Sequence, residues 1–252
     1  MQNPPLLMGI LNTTPDSFFD GGSYISPEAA LKRAEQILSE GGAVIDVGGE
    51  STRPGSLPVD TIEEIKRTAP VIKAIKQKFP AALVSIDTYN YGTALAALDS
   101  GAAIINDVSA LKDRRLAALA ARHKAKLVIM HTRGTPRDMH KLADYADILK
   151  EIYEFFENKI AIAAAEGLAR EDIILDVGLG FAKTKEQNKF LLENLKYFAR
   201  LNLPQLVGAS RKSFTGGALE NSLKAAATAA RNGAAILRVH DVAETKKMLG
   251  EL

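Results

Sequence analysis

The sequence predicts a single (β/α)₈ TIM barrel, an α/β fold in which eight parallel strands alternate with helices. Short apolar runs alternate eight times with longer segments of helical periodicity, as expected for consecutive strand–helix units. The runs are nearly continuous in apolar residues, which is typical of parallel strands buried on both faces. The chain has 252 residues, and a barrel of this kind takes about 250. No break in composition divides the chain, so we expect one domain over residues 1–252.

The predicted strands follow the apolar runs in chain order. They cover residues 6–12, 43–48, 83–87, 103–108, 126–131, 172–177, 204–209 and 234–240. An open, doubly wound sheet is less favoured, because no dinucleotide-type G-x-G-x-x-G sequence follows the first strand.

Capping residues and apolar spacing predict the helices between these strands. Ser26 is a suitable N-cap for the first helix, a proline follows it, and Gly41-Gly42 ends that helix. Asp60 or Thr61 caps the second helix, and Glu64 completes a capping box with Thr61. Further helices are predicted near residues 90–99, 112–122, 138–166, 186–201, 221–232 and 242–250.

The composition excludes several classes of protein. Hydrophobic residues make up 46% and charged residues 25% of the chain, values that exclude a disordered protein. The net charge of +2 gives no support for non-specific binding to nucleic acid or a membrane surface. The absence of cysteine excludes disulfides, thiolate metal sites and a cysteine nucleophile. With no secretory signal and no long apolar run, we expect a cytoplasmic protein with no membrane partner.

Polar side chains follow the apolar run of every predicted strand. Barrel enzymes place their chemistry at the carboxyl ends of the strands, so these side chains converge on one face of the fold. Arg238 and His240 are two residues apart and share one face of the last strand. Asp87 and Asp176 adjoin apolar runs, and a buried acid is costly unless it is paired. Each therefore needs a protein cation or a donor from a ligand.

Other polar residues near the strand ends allow more than one interpretation. His131 either contacts a ligand or is a buried structural histidine, and Asp46 and Glu50 are expected to pair with Arg53 or another cation. Residues 178–184 resemble a phosphate loop but lack the Walker spacing. The loops over residues 12–22 and 51–55 are rich in turn residues, which favours elements that close over a ligand.

Eight segments, in order along the chain, resemble the successive motifs of the dihydropteroate synthase family. They are residues 8–18 (MGILNTTPDSF), 45–55 (IDVGGESTRPG), 85–88 (SIDT), 105–108 (INDV), 130–136 (MHTRGTP), 180–181 (GF), 210–213 (SRKS) and 238–241 (RVHD). The resemblance covers all eight predicted strands, and the family has the same barrel fold. Asp176-Val177-Gly178 departs from the family pattern, which has proline at the second position.

The resemblance assigns a pterin site to the barrel. Asp87, Asn106 and Asp176 match residues that hydrogen-bond the pterin ring, and a carboxylate suits the neighbouring N–H donors of its aminopyrimidinone edge. Lys212 is similar to the lysine that reaches the pterin carbonyl, and Arg238 to the arginine that stacks on the ring. The resemblance thus implies that Lys212, Arg238, Asp87 and Asp176 are the catalytic residues.

The resemblance also implies sites for the other reactants. Diphosphate is expected at Asn12, Arg238 and His240, with Mg²⁺ bridging the diphosphate near Asn12. The p-aminobenzoate surroundings match Thr52, Arg53, Pro54, Phe181, Lys212 and Ser213. Ser213 is expected to open the seventh helix, whose positive N-terminus would attract the benzoate carboxylate. A homodimer is implied as well, although the segment over residues 215–222 is shorter than in most relatives.

The implied reaction joins p-aminobenzoate to 6-hydroxymethyl-7,8-dihydropterin diphosphate, giving 7,8-dihydropteroate and diphosphate in folate biosynthesis. Three alternatives stay open at this point. A pterin-binding methyltransferase would share the pterin residues but lack the paired loops at residues 12–22 and 51–55. A Schiff-base aldolase would use Lys212 as its nucleophile. A silent homologue that only binds pterin would show losses in those loops or at Lys212, and none is seen.

The two loops generate a prediction about the order of binding. Diphosphate with Mg²⁺ brings negative charge beside Arg53, Arg238 and His240, and closing the loops over it would complete the benzoate pocket. We therefore expect magnesium diphosphate to tighten p-aminobenzoate binding by about 1–3 kcal/mol, with the same coupling in reverse. Labelled p-aminobenzoate is titrated with and without magnesium diphosphate, in the wild type and in Arg53→Ala. Equal affinity in all four titrations would remove Arg53 from the site.

Overall fold

The structure is a computed structural model that describes residues 4–14, 27–51, 56, 58–135 and 138–251. Its eight strands pair in chain order, all parallel, and the last strand pairs with the first to close the barrel. The strands are β1 Leu6–Asn12, β2 Val44–Gly48, β3 Leu83–Asp87, β4 Ile104–Asp107, β5 Lys126–Met130, β6 Ile173–Asp176, β7 Gln205–Val207 and β8 Ile236–Val239. The predicted fold class is confirmed, and several predicted strands are too long by one or two residues at their ends.

Eight α-helices lie in the described part of the chain. They are α1 Pro27–Ser39, α2 Thr61–Lys78, α3 Tyr91–Asp99, α4 Arg115–His123, α5 Ile148–Ala165, α6 Lys185–Glu193, α7 Leu219–Arg231 and α8 Val242–Leu249. Every predicted helix exists, but two predicted ranges are wrong in extent. The range 138–166 becomes helical only at Ile148, where the Asp147 side chain accepts hydrogen bonds from Leu149 N and Lys150 N. The range 186–201 divides into α6 and a 3₁₀ segment, Leu195–Leu201.

The predicted capping box of α2 is wrong. Asp60 alone caps the helix, with its Oδ1 accepting from Ile62 N at 2.9 Å. Glu64 is buried, and its Oε2 accepts from Asn90 Nδ2 at 2.8 Å and from Thr93 Oγ1 at 2.7 Å. The Glu64 carboxylate therefore binds donors from α3 and its N-cap. The sequence had instead predicted that it would cap the N-terminus of α2. Burial raises the pKa of Glu64, although hydrogen bonds from Asn90 and Thr93 oppose that shift.

Two apolar layers set where chemistry can occur. The larger layer fills the space between strands and helices, and its largest buried side chains include Phe156 and Phe198. A separate cluster lies on the opposite strand face and consists of Met8, Val44, Ile104, Val128, Ile174, Leu206 and Ile236. Two residues further along that face come Asp46, Asn106, Asp176 and Arg238. The interior of the barrel is therefore apolar at its amino end and polar at its carboxyl end.

No helix in the described ranges is both long and apolar enough to cross a membrane.

Candidate active site

A triad of charged side chains lies inside the carboxyl end of the barrel. Arg238 on β8 donates from Nε to Asp46 Oδ2 and from Nη2 to Asp87 Oδ2, both at 2.6 Å. Asn106 Nδ2 donates to the same Asp46 oxygen at 3.2 Å. Asp46 is 0% and Asp87 7% exposed, so these are buried ion pairs. Asp46 was expected to pair with Arg53 or another cation, and its partner in the structure is Arg238.

One oxygen of each of the two carboxylates has no hydrogen bond to the described residues. Asp46 Oδ1 and Asp87 Oδ1 are buried and have no hydrogen-bond partner among the described residues. Burial raises the pKa of Asp87 to about 7, with Arg238 opposing the shift. Burial also disfavours the charge on Arg238, but Asp46 and Asp87 outweigh it and raise the pKa of the guanidinium. Arg238 therefore stays charged, and Asp87 presents an oriented acceptor.

Gly48 lies between Asn12 and Asp87. A Cβ added at Gly48 would lie 3.6 Å from Asp87 Cβ and 3.7 Å from Asn12 Oδ1, which are ordinary van der Waals distances. The glycine therefore leaves a gap of about one methyl group beside the Asp87 carboxylate. Asn12 pairs in register with Gly48, Gly48 with Asp87 and Asp87 with Asn106, so the three predicted residues lie at one level of the barrel across β1 to β4.

Asp176 and Lys212 form a second charged group across the barrel mouth. Asp176 is buried at the end of β6, and its Oδ1 accepts from Gly178 N at 2.7 Å. Burial raises the pKa of Asp176, while Lys212 opposes the shift. Burial lowers the pKa of Lys212 to about 8, and Asp176 limits that fall. Val177 in place of the family proline leaves Asp176 anchored by the N–H that follows.

The loop after β6 requires glycine at position 178, two residues after Asp176. Gly178 has a φ of +66°, and a Cβ there would lie 1.9 Å from His131 O. The tight turn carries Leu179 O to Lys212 Nζ, which donates to it, and sets the Phe181 ring centroid 4.6 Å from the same nitrogen. Phe181 and Lys212, both predicted for the benzoate pocket, therefore contact each other.

Ser213 does not open the seventh helix, so that prediction is wrong. It begins a short 3₁₀ segment, Ser213–Thr215, whereas α7 starts at Leu219. Gly216 and Gly217 have φ values of 75° and 73°, and two left-handed residues in succession end the helical path between the segments.

His240 lies at the end of β8, beyond Arg238. Its Nδ1 is 3.0 Å from Ser210 Oγ, and its carbonyl accepts from Arg33 Nη2 at 2.5 Å. The ring is therefore tied to the end of β7 and the backbone to α1, close to the mouth where β8 meets β1.

Thr52, Arg53 and Pro54 lie outside the described residues. The residues on either side of them are hydrogen-bonded to each other, since Ser56 Oγ donates to Ser51 O at 2.5 Å. Glu50 accepts from Val59 N and from Tyr89 Oη, both at 2.8 Å. Sequence reasoning had assigned a cation to Glu50 and missed Tyr89, because the contact spans 39 residues.

Buried His131 and half-buried Lys183 form a polar pair close to the site. The His131 ring packs edge-on against Phe155, with 4.7 Å between centroids, and its Nδ1 lies 3.0 Å from Lys183 Nζ. Burial lowers the pKa of His131 well below its ordinary value, and Lys183 adds to the effect. The structural interpretation of His131 fits these contacts. Lys183, inside the segment that resembled a phosphate loop, was missed as a polar anchor.

The chain is similar to proteins of one family over nearly its whole length. Residues 8–240 match the family described as pterin binding enzyme. A dihydropteroate synthase of Synechocystis sp. is 46% identical over 246 residues, which cover 94% of this chain and 85% of that protein. The Yersinia pestis dihydropteroate synthase in a sulfonamide drug complex superposes with a TM-score of 0.93 at 38% identity, covering 98% of this chain and 93% of the other. The Xanthomonas albilineans dihydropteroate synthase with 4-aminobenzoic acid gives 0.91 at 36% identity, covering 99% and 92%.

The triad predicts a pH-dependent loss of stability in Arg238→Met. Removing the guanidinium leaves two buried acids without their cation, which costs about 3–5 kcal/mol in the free energy of unfolding. The pKa of Asp87, already about 7, rises further, so the folded variant binds more protons than the unfolded chain at neutral pH. Its stability therefore increases as pH falls from 8 to 6. Urea unfolding at several pH values measures both effects.

Lys126→Met is the matched control, because its pair with Asp172 is half exposed and contributes about 0–1 kcal/mol. Adding Asp46→Asn to Arg238→Met should restore part of the lost stability at pH 8. A loss in Arg238→Met equal to that of the control, with no pH dependence, would contradict the role of the triad.

Proposed function

Since the chain belongs to the dihydropteroate synthases of the pterin-binding enzyme family, we propose that the polar end of its barrel is the active site of that synthase. The enzyme is a transferase of folate biosynthesis that joins p-aminobenzoate to 6-hydroxymethyl-7,8-dihydropterin diphosphate. The observation that carries the residue assignment is the buried oxygen of Asp87, which has no hydrogen-bond partner among the described residues. A ring that bears N–H donors would satisfy that oxygen.

Asp87, Asn106 and Asp176 hold the pterin ring in this proposal. Carboxylates accept hydrogen bonds only, and the aminopyrimidinone edge of the pterin offers neighbouring N–H donors. Asp176 uses one oxygen for Gly178 N, and its buried position next to an apolar layer favours a ligand that excludes water. Because the acceptors are fixed before the ring arrives, little ordering free energy opposes binding.

Arg238 stacks on the pterin, and Lys212 donates to its carbonyl side. The guanidinium uses its Nε and Nη2 edge for Asp46 and Asp87. Its flat face is then the surface left for a ring, as expected for arginine stacking. Lys212, whose pKa is about 8, carries its charge at neutral pH and can donate to the carbonyl.

Asn12, Arg238 and His240 receive the diphosphate, and Mg²⁺ fits beside it. No group of three or more acidic, histidine or cysteine side chains with metal-binding geometry lies in the described ranges. Mg²⁺ commonly keeps several waters and binds substrate phosphates with only one or two protein oxygens, so the Asn12 side-chain oxygen at the barrel mouth suffices. When bound, the metal supplies positive charge that stabilises the leaving diphosphate.

The residues then divide the work of the reaction. The methylene C–O bond breaks with its electron pair leaving on diphosphate, and the acids Asp87 and Asp176 stabilise the cationic pterin left behind. The amine of p-aminobenzoate, which is neutral at pH 7, attacks the methylene and afterwards loses a proton. Phe181, Lys212 and Ser213 face this reactant in the proposal, with Thr52, Arg53 and Pro54 completing its pocket. No strong general base is needed.

We also propose that the enzyme is a homodimer with a cytoplasmic location and no nucleic-acid partner, as expected from the sequence.

The direct test of the function is to mix the pure protein with both substrates and magnesium and to measure diphosphate and dihydropteroate together. Absence of either product would overturn it.

Asp176→Ala tests the pterin clamp. The change removes charge-assisted hydrogen bonds worth roughly 1.5–3 kcal/mol each, and two such bonds correspond to about a hundredfold loss of pterin affinity or more. Calorimetry on the folded variant measures the loss. Asp172→Ala, which alters a surface pair four residues away, is the control and should bind pterin normally. Unchanged affinity in Asp176→Ala would remove Asp176 from the site.

Lys212→Gln separates the synthase from a Schiff-base aldolase. The lowered pKa of Lys212, about 8, also suits an aldolase lysine, and both functions expect the variant to lose most turnover. In the synthase, pterin affinity falls as pH rises past about 8, because Lys212 loses its charge, and Lys212→Gln lacks this dependence. Lys224→Gln, at an exposed pair with Glu220, serves as the control. A borohydride-trapped adduct at Lys212, found by mass spectrometry, would favour the aldolase.

A further inference from the structure

The loop between β6 and α6, residues 177–184, supports several of the residues assigned to the reaction. Its Gly178 N–H holds Asp176 at 2.7 Å, its Leu179 carbonyl accepts from Lys212, and its Phe181 ring lies beside the same ammonium. We call this loop the β6–α6 platform. Because it carries no regular secondary structure of its own, side chains behind it must fix its backbone.

Lys183 fixes the platform through carbonyls other than the one that Lys212 contacts. Its Nζ donates to Gly178 O at 3.0 Å and to Phe181 O at 2.9 Å, and lies 3.0 Å from His131 Nδ1. Burial lowers the pKa of Lys183, and the Asp176 carboxylate opposes that shift. As an ammonium, Lys183 has three protons, one for each of the two carbonyls and one for His131 Nδ1. That arrangement requires His131 to be neutral, with its proton on Nε2. The depressed pKa of buried His131 agrees with that state.

Other contacts secure the platform at its edges. Asn188 Oδ1 accepts from Gly180 N at 2.6 Å, and Tyr145 Oη donates to Ala182 O at 3.0 Å. Lys183 differs from both because it alone among these side chains joins two platform carbonyls to a neighbouring strand end. Those carbonyls belong to Gly178 and Phe181, the residues whose N–H and ring face the site.

We propose that Lys183 is a positioning residue of the synthase, which through the carbonyls of Gly178 and Phe181 sets where the Phe181 ring and Lys212 meet p-aminobenzoate. The inference rests on the proposed function. The Lys183 ammonium is directed at Gly178 O, Phe181 O and His131 Nδ1, so we expect it to act through the platform. Asp87, Asn106 and Arg238 lie on β3, β4 and β8, apart from the platform, so three of the five proposed pterin contacts do not depend on Lys183.

Lys183→Met tests the proposal, because methionine keeps the length of the chain and removes the three donors. Leaving these carbonyls unsatisfied should displace the platform and raise the KM for p-aminobenzoate about tenfold or more, with the Kd for pterin raised by a smaller factor. Lys185→Met, at the exposed start of α6, is the matched control and should leave both values unchanged. A purely structural role would lower the thermal midpoint and the fraction of active protein without separating the two values.

A rescue experiment identifies the ammonium as the active feature. The chain has no cysteine, so Lys183→Cys introduces a single thiol that 2-bromoethylamine converts, in the unfolded chain, to a side chain of lysine length and charge. After refolding, this product should regain the wild-type KM for p-aminobenzoate, whereas alkylation with 1-bromopropane should not. Wild-type protein passes through the same unfolding and refolding. Equal rescue by both reagents would overturn the proposal.

NMR of the wild type tests the contact between Lys183 and His131 even if the variants do not fold. Nitrogen-15 NMR of the wild type should show His131 neutral with its proton on Nε2, and a proton on Nδ1 would overturn the arrangement. If the wild type forms no dihydropteroate, the proposed function itself fails. If it does, and Lys183→Met keeps the wild-type KM for p-aminobenzoate, only the role of Lys183 fails.

Discussion

The pairing of Arg238 with Asp46 and Asp87 is the constraint on which the site depends. Two acids inside one barrel repel each other, and each loses its hydration on burial. A single guanidinium that bonds both at 2.6 Å offsets these costs. It also fixes three strands relative to one another, since Asp46, Asp87 and Arg238 belong to β2, β3 and β8. The geometry of the proposed site is therefore the same geometry that offsets the cost of burying these charges.

The apolar cluster in the barrel interior explains why this chemistry lies at one end only. Met8, Val44 and Ile236 fill the amino end with buried side chains, so a ligand has no access from that side. The strand period of two then places Asp46 above Val44 and Arg238 above Ile236. Stability and reactivity are divided along each strand, and a change in the lower layer acts on the site only by moving the backbone.

The sequence predicts the fold and much of the site because both follow from local patterns. Apolar runs identify all eight strands, and the polar residues after them identify Asp87, Asn106, Asp176 and Arg238. The errors in helix extent have local causes, such as the cap at Asp147 and the left-handed Gly216 and Gly217, whereas the missed partners of Glu64 and Asp46 come from distant parts of the chain. Glu64 was predicted to cap α2, but it accepts hydrogen bonds from Asn90 and Thr93, which are 26 and 29 residues away in the sequence. Arg238 and Asp46 are 192 residues apart, and no local pattern marks that pair.

Unsatisfied acceptors connect the stability of the empty protein to its affinity for substrate. The partnerless oxygens of Asp46 and Asp87 lower the stability of the folded chain, since a buried acceptor without a donor costs about 1–3 kcal/mol. In the proposed site, the same oxygens gain a hydrogen bond when a ligand brings a donor. The bonds from Arg238 hold both carboxylates in place before that donor arrives. The ion pair is therefore expected to fix the direction of the two acceptors.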